Sequence, residues 1–162
     1  MSQARILIVE DEAIVARDLR QQLSELGYDP IADTPTGEEA VGLAATLRPD
    51  LVLMDIELAG GMDGIRAAQV LGEQFDIPVV YLTAYVSAAL VQRAKVTEPF
   101  GYIIKPFATR ELSIVIEMAL YKHQAEVALR RKNAELEAAL AQVKTLSGLI
   151  PICSGCKKIR DD

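Results

Sequence analysis

Cysteine is almost missing from this chain: 162 residues contain two, Cys153 and Cys156, alongside a single histidine and no tryptophan. Two cysteines three apart cannot frame a disulfide-stapled fold, and their scarcity fits a reducing, cytoplasmic compartment. No stretch approaches the roughly 20 consecutive apolar residues a bilayer span requires. The opening Met1-Ser2-Gln3-Ala4-Arg5 leads into a strand without the apolar core of a signal peptide. No Gly-rich nucleotide loop and no helix-turn-helix pattern is present. His123 lacks the neighbouring Glu and downstream Pro of a phosphodonor histidine, which leaves it a surface or interface role. Positive charge is also short: residues 1–121 hold 9 lysines and arginines against 18 acids, whereas residues 122–162 hold 8 against 5. So acidic a body disfavours nonspecific nucleic-acid binding.

What is abundant is apolar: 51% of the residues. Four short apolar runs each end in a polar side chain. Glu10 and Asp11 follow Ile6-Leu7-Ile8-Val9, and Asp55 follows Leu51-Val52-Leu53-Met54. Thr83 follows Val79-Val80-Tyr81-Leu82, and Lys105 follows Tyr102-Ile103-Ile104. Runs of this length bounded by turn signals read as buried strands of a parallel sheet. In such a sheet the reactive crevice lies beyond the carboxyl ends of the strands.

Between the runs the periodicity changes to that of helices. Val15, Leu19, Leu23 and Leu26 recur at helical spacing, and Gly27 supplies a stop. A weaker strand is expected around Tyr28–Ala32, then a helix opened by Thr36-Gly37-Glu38-Glu39 and closed by Arg48-Pro49. Asp63 is a plausible N-cap for a third helix over Ile65, Ala68 and Leu71. Pro78 introduces the fourth strand, a short helix carries Leu90, Val91 and Ala94, and Gly101–Ile104 is the fifth strand. The expectation is an α/β fold, a five-stranded parallel doubly wound sandwich.

The last helix starts near Thr109 and continues past where a domain helix should stop. Met118, Lys122, Ala125, Leu129, Lys132, Leu136, Ala139, Val143, Leu146 and Ile150 step alternately by four and three, and eight of these ten are apolar. That is a coiled-coil heptad pattern. Thr109–Ser147 as one helix is about 60 Å long, too long to bury its seam on its own domain. A parallel homodimer through residues 118–150 is the expected partner. The domain reading is therefore residues 1–121 as the body, 122–147 as the coiled-coil helix and 148–162 as a short Cys-x-x-Cys tail, truncated or disordered.

The strand ends carry the chemistry. Clustered carboxylates repel, and a hard cation relieves that; Mg²⁺ favours oxygen ligands and one or two carboxylates. Asp11 and Asp55 suit it, with Glu10 reaching the ion directly or through water. Lys105 brings a compact positive charge for a phosphoryl oxygen, and Thr83 a hydroxyl donor for another. The set suits in-line phosphoryl transfer, with Asp55 on the central strand as acceptor. Singly, each residue has a plainer reading: Asp11 as a helix cap, Lys105 as a partner of Asp55, Thr83 as an ordinary strand residue. Five suitable residues at successive strand ends favour the common site.

Ile6-Leu7-Ile8-Val9-Glu10-Asp11-Glu12, Leu53-Met54-Asp55-Ile56, Gly61-Met62-Asp63-Gly64, Leu82-Thr83-Ala84 and Lys105-Pro106-Phe107 stand in one order and spacing. From about Ala4 to Tyr121 the chain resembles the receiver domain of two-component response regulators. The resemblance implies a flavodoxin-like receiver fold and phosphorylation of Asp55 by a sensor histidine kinase. It implies Mg²⁺ held by Glu10, Asp11, Asp55 and the backbone carbonyl of Glu57, with Thr83 and Lys105 contacting the phosphoryl group. Tyr102 falls at the position of the family's switching aromatic, coupled to Thr83. Glu57 adds negative charge near the phosphoryl group, and Tyr85 is placed to screen it from water. Such a protein is not an enzyme beyond Mg²⁺-dependent phosphorylation and dephosphorylation of itself.

Cys153-Ser154-Gly155-Cys156 is half a metal site at best. Leu146–Asp162 resembles the opening of a small Cys-rich module and stops midway. Two other functions compete with a phosphorylation switch: a metal-dependent phosphatase on a similar sandwich, with Glu57 as acid/base, and the regulatory head of a larger signalling enzyme. Turnover of small phosphomonoesters separates the first of these from a switch, which reacts once and stops.

Overall fold

The computed structural model describes residues 3–85 and 87–158, with side chains described as far as residue 145. Five strands alternate with helices in chain order: β1 (Arg5–Val9), α1 (Ala13–Glu25), β2 (Asp29–Thr34), α2 (Gly37–Leu47), β3 (Leu51–Asp55), α3 (Gly64–Phe75), β4 (Val79–Thr83), α4 (Ala88–Ala94), β5 (Gly101–Ile104) and α5 (Thr109–Lys158). All neighbouring strands pair in parallel, in the order β2-β1-β3-β4-β5. The order reverses between β1 and β3, so a crevice opens at their carboxyl ends, where open α/β sheets bind their ligands.

Period-two alternation splits the core between the two faces. Leu7, Val9, Val52, Met54 and Tyr81 pack on α2 and α3 through Ala40, Ala44, Ala67, Ala68 and Leu71. Ile6, Ile8, Leu53, Val80, Leu82 and Ile103 pack on α1 and α5 through Leu19, Leu23, Leu112, Ile116 and Ala119. Because helices cover both faces, β3 and β4 are buried along their whole length and read as unbroken apolar runs. β2 is an edge strand, mostly half-buried, and it tolerates Pro30 because an edge proline forfeits no ladder bond. Its apolar signal is weak, and it lies one to two residues later than the expected Tyr28–Ala32.

Local chemistry sets the boundaries. The side chains of Thr36, Asp63 and Ser87 accept from the backbone N–H of Glu39, Arg66 and Leu90, capping α2, α3 and α4. Gly27 closes α1 at φ +87°, a conformation that costs glycine little. α1 opens behind Glu12 rather than Asp11, so Asp11 does not cap it. α4 ends in a 3₁₀ turn, Lys95–Thr97.

The chain divides into two compact units, Met1–His123 and Gln124–Asp162. In the second unit α5 continues to Lys158 and passes Gly148, beyond the expected end at Ser147. A helix-interior glycine costs about 1 kcal/mol and does not by itself stop a helix. The side chains of Cys153 and Cys156 lie outside those described. Among the described residues no helix is long and apolar enough to cross a membrane.

Candidate functional site

The crevice collects side chains from three strand ends. Glu10 leaves β1 with its backbone N–H donating to the carbonyl of Thr34 at 3.0 Å. Its side chain is buried, and Oε1 accepts from the N–H of Glu12 at 3.2 Å. Asp55 ends β3, also buried; its Oδ1 accepts from the N–H of Glu57 at 2.9 Å. Lys105 follows β5, and its N–H donates to the Thr83 carbonyl at 2.8 Å, which ties its backbone to β4. From there its Nζ reaches Oδ2 of Asp55 at 2.7 Å and Oε2 of Glu10 at 2.6 Å. The plain reading of Lys105 as a partner of Asp55 therefore holds, but the ammonium serves two carboxylates.

Asp11 is exposed at the mouth, and one oxygen from each of Glu10, Asp11 and Asp55 lies within 4.8 Å of the others. Three carboxylates face one ammonium, so the cluster remains short of positive charge. Burial pushes the Glu10 carboxyl above its ordinary range, and the charge of Asp55 adds to this against the hydrogen bond from Lys105. Burial works against the Lys105 ammonium, but its bonds to Asp55 and Glu10 outweigh it and raise its pKa. An all-oxygen donor set, with one exposed carboxylate as an entrance, fits a hard dication such as Mg²⁺.

The backbone under this cluster leaves no slack. A Cβ on Gly64 would stand 2.0 Å from the carbonyl oxygen of Asp55, so only glycine lets α3 begin this close to the end of β3.

Beside the carboxylates, Thr83 is buried and its hydroxyl donates to the carbonyl of Tyr85 at 2.7 Å. Tyr102 is half-buried, its ring centroid 5.7 Å from that of Tyr81. Tyr81 is fully buried, and its hydroxyl is 2.8 Å from Thr97 Oγ1, which itself donates to the Ala94 carbonyl. The Tyr81 O–H is thus the donor of this pair, and burial holds it well above the ordinary tyrosine range. In the sequence Tyr81 reads as one more strand residue. A hydroxyl inside an otherwise aliphatic run was the available signal, because a buried tyrosine needs a partner.

Asp63 does more than cap α3. One oxygen does cap α3, but the other accepts from Arg93 of α4 at 2.5 Å. His123 stands edge-on to Phe100, with centroids 5.5 Å apart, and its Nε2 is 3.6 Å from Asp76.

Comparison with known proteins agrees with this geometry. A family model described as the response regulator receiver domain matches residues 6–117. The transcriptional regulatory protein PdtaR of Mycobacterium tuberculosis is 38% identical over 136 residues, 84% of this chain and 66% of that protein. The phyllosphere-induced regulator PhyR of Methylorubrum extorquens is 39% identical over 130 residues, 80% of this chain and 47% of that protein. The chain thus spans less than two thirds of either relative. The crystal structure of the signal receiver domain of a modulated diguanylate cyclase from Desulfovibrio desulfuricans superposes with a TM-score of 0.74 at 42% identity, covering 77% of this chain and 99% of that one.

Proposed function

The chain belongs to the receiver-domain family of two-component response regulators, and from that premise we propose that Asp55 is its phosphoacceptor, charged by a sensor histidine kinase. The observation that carries this reading is the placement of one ammonium on both Asp55 and Glu10. An oxygen of the Asp55 carboxylate attacks phosphorus in line, the bond from phosphorus to the donor breaks, and an acyl phosphate forms. Lys105 moves from neutralising carboxylates to meeting a phosphoryl oxygen, a short shift for a flexible ammonium. Glu10, Asp11, Asp55 and the backbone carbonyl of Glu57 would hold Mg²⁺, whose positive charge offsets that of the phosphoryl oxygens.

The Thr83 hydroxyl leaves the Tyr85 carbonyl for another phosphoryl oxygen, and Tyr102 responds to the space it vacates. A local hydrogen bond and a packing change then bias one two-state element. The protein reacts once per phosphoryl group and turns over no substrate but its own acyl phosphate. Its regions are a receiver (1–121), a coiled-coil helix (122–147) and a Cys-x-x-Cys tail (148–162). Output passes through a parallel homodimer formed by residues 118–150.

Intact mass after incubation with acetyl phosphate and Mg²⁺ tests the acceptor. One added phosphate, absent when Mg²⁺ is chelated, is the expected result. Multiple turnover of a phosphomonoester would instead favour a phosphatase.

A further inference from the structure

Four large apolar side chains on α5 stand mostly in solvent within the second unit: Leu129 at 61%, Leu136 at 62%, Leu140 at 57% and Val143 at 57%. At 100° per residue they fall within about 60° of arc, a single stripe. The seam expected from the sequence, Leu129, Lys132, Leu136, Ala139 and Val143, keeps three of the four. It leaves Leu140 at its flank and brings a lysine into the contact. Stepping 129, 133, 136, 140, 143 keeps all four and exchanges the lysine for Asn133.

We propose that a second copy of this chain covers the stripe in a parallel, unshifted pair whose seam is Leu129, Asn133, Leu136, Leu140 and Val143, with Asn133 facing its own counterpart. This rests on the homodimer reading above and specifies its contact surface. Leu129, Leu136 and Val143 then occupy the d position, with Asn133 and Leu140 at a. An asparagine at a carries both an amide donor and a carbonyl acceptor, so two copies satisfy each other only when they meet at the same level. That selects parallel over antiparallel pairing and fixes the register.

Charge supports the same frame. Lys132 moves to the g position and Glu137 to e. In a parallel pair each g residue faces the e residue five further along the partner, so Lys132 and Glu137 meet with opposite sign on both sides of the seam. Glu137 has no ion pair among the described residues. Lys132 contacts Glu135 of its own helix at 3.4 Å, with both side chains exposed. Such a contact is readily exchanged. The seam expected from the sequence places Glu135 opposite Leu140 and offers no such pair.

The test uses the full chain with Cys153 and Cys156 replaced by serine and one cysteine introduced at a time. Under mild oxidation, Asn133→Cys and Leu140→Cys should give mostly disulfide-linked dimers, and Lys132→Cys and Ala139→Cys only a minor fraction. The reverse pattern overturns this seam while leaving a homodimer. A monomer by sedimentation at tens of micromolar overturns the homodimer itself and the seam with it. Asn133→Leu should tighten association and broaden the assembly beyond dimers; an unchanged size distribution and affinity would remove Asn133 from the seam. None of these outcomes bears on phosphorylation of Asp55, which is read separately by mass.

Discussion

The ammonium of Lys105 lies 2.7 Å from Oδ2 of Asp55, a residue 50 positions earlier in the chain. The contact is mostly shielded from solvent, since the Lys105 side chain is 16% exposed and that of Asp55 8%. Removing one member of such a group leaves uncompensated buried charge. Lys105→Ala should therefore destabilise the metal-free protein by about 3 kcal/mol. Excess Mg²⁺ should restore part of that loss, because a dication can replace the missing charge. Urea unfolding with and without Mg²⁺ measures both.

Asp55→Asn should abolish the added phosphate, because an amide is neither a nucleophile nor a good Mg²⁺ ligand. The fold should survive, since the amide oxygen can still accept from the Glu57 N–H or from Lys105. Intact mass and far-ultraviolet circular dichroism together check this. Phosphorylation at the wild-type rate would overturn the assignment.

Glu10 gives a pH dependence of defined sign. Its carboxyl is raised above 4.5 in the folded protein, burial being the largest cause. Its contribution to stability is therefore fully present below the unfolded pKa and is lost as pH rises through the folded one. In metal-free protein Glu10→Gln should flatten that decline and increase stability at neutral pH, while weakening Mg²⁺ binding. Urea midpoints across pH 4 to 8 in chelator, beside a Mg²⁺ titration, test the two directions; a less stable metal-free variant would contradict them.

Gly64→Ala places a methyl group 2.0 Å from the Asp55 carbonyl oxygen. Either α3 or the end of β3 must move, at a cost of about 3 kcal/mol. Thermal denaturation should show the loss. Phosphorylation by acetyl phosphate should slow as well, because the backbone of Asp55, the proposed acceptor, is displaced. A neighbouring glycine is the control: Gly72 has open space around its missing Cβ, and Gly72→Ala should be neutral or mildly stabilising.

Tyr81→Phe removes a buried donor and leaves Thr97 Oγ1 still bonded to the Ala94 carbonyl. Only one hydrogen bond is lost, and about 1 kcal/mol of stability should go with it. Amide exchange should quicken most around residues 94–97, where the hydroxyl pins the turn after α4.

The sequence carried the fold where burial was simplest. β3 and β4 are covered on both faces and read as apolar runs, while β2 at the edge mixes Asp29, Pro30 and Thr34 with its apolar residues and was placed less well. Glu10, Asp55 and Lys105 were visible because each is a polar residue just where an apolar run stops. Relationships between distant residues left no such mark. Nothing in the spacing of Tyr81 and Thr97, or of Asp63 and Arg93, obeys a helix or strand period, and only the packing of α4 brings them together. The length of α5 was legible in the sequence, whereas spacing alone does not mark its contact face, because steps of three and four from Leu129 can be taken in either order.

The two oxygens of Asp63 make a bearing shared by two helices, one fixed and one hung from it. The oxygen on the Arg66 N–H belongs to the start of α3 and cannot be surrendered without uncapping that helix. The other holds Arg93 across solvent, with side chains 61% and 40% exposed, and such bonds hold by about 0.5 kcal/mol and weaken in salt. α4 therefore hangs at this point from a tether that dissolved ions loosen, while the lysine-bridged carboxylates beside it are sheltered from them. Added salt should therefore loosen the Asp63–Arg93 contact before it reaches the shielded group of Glu10, Lys105 and Asp55.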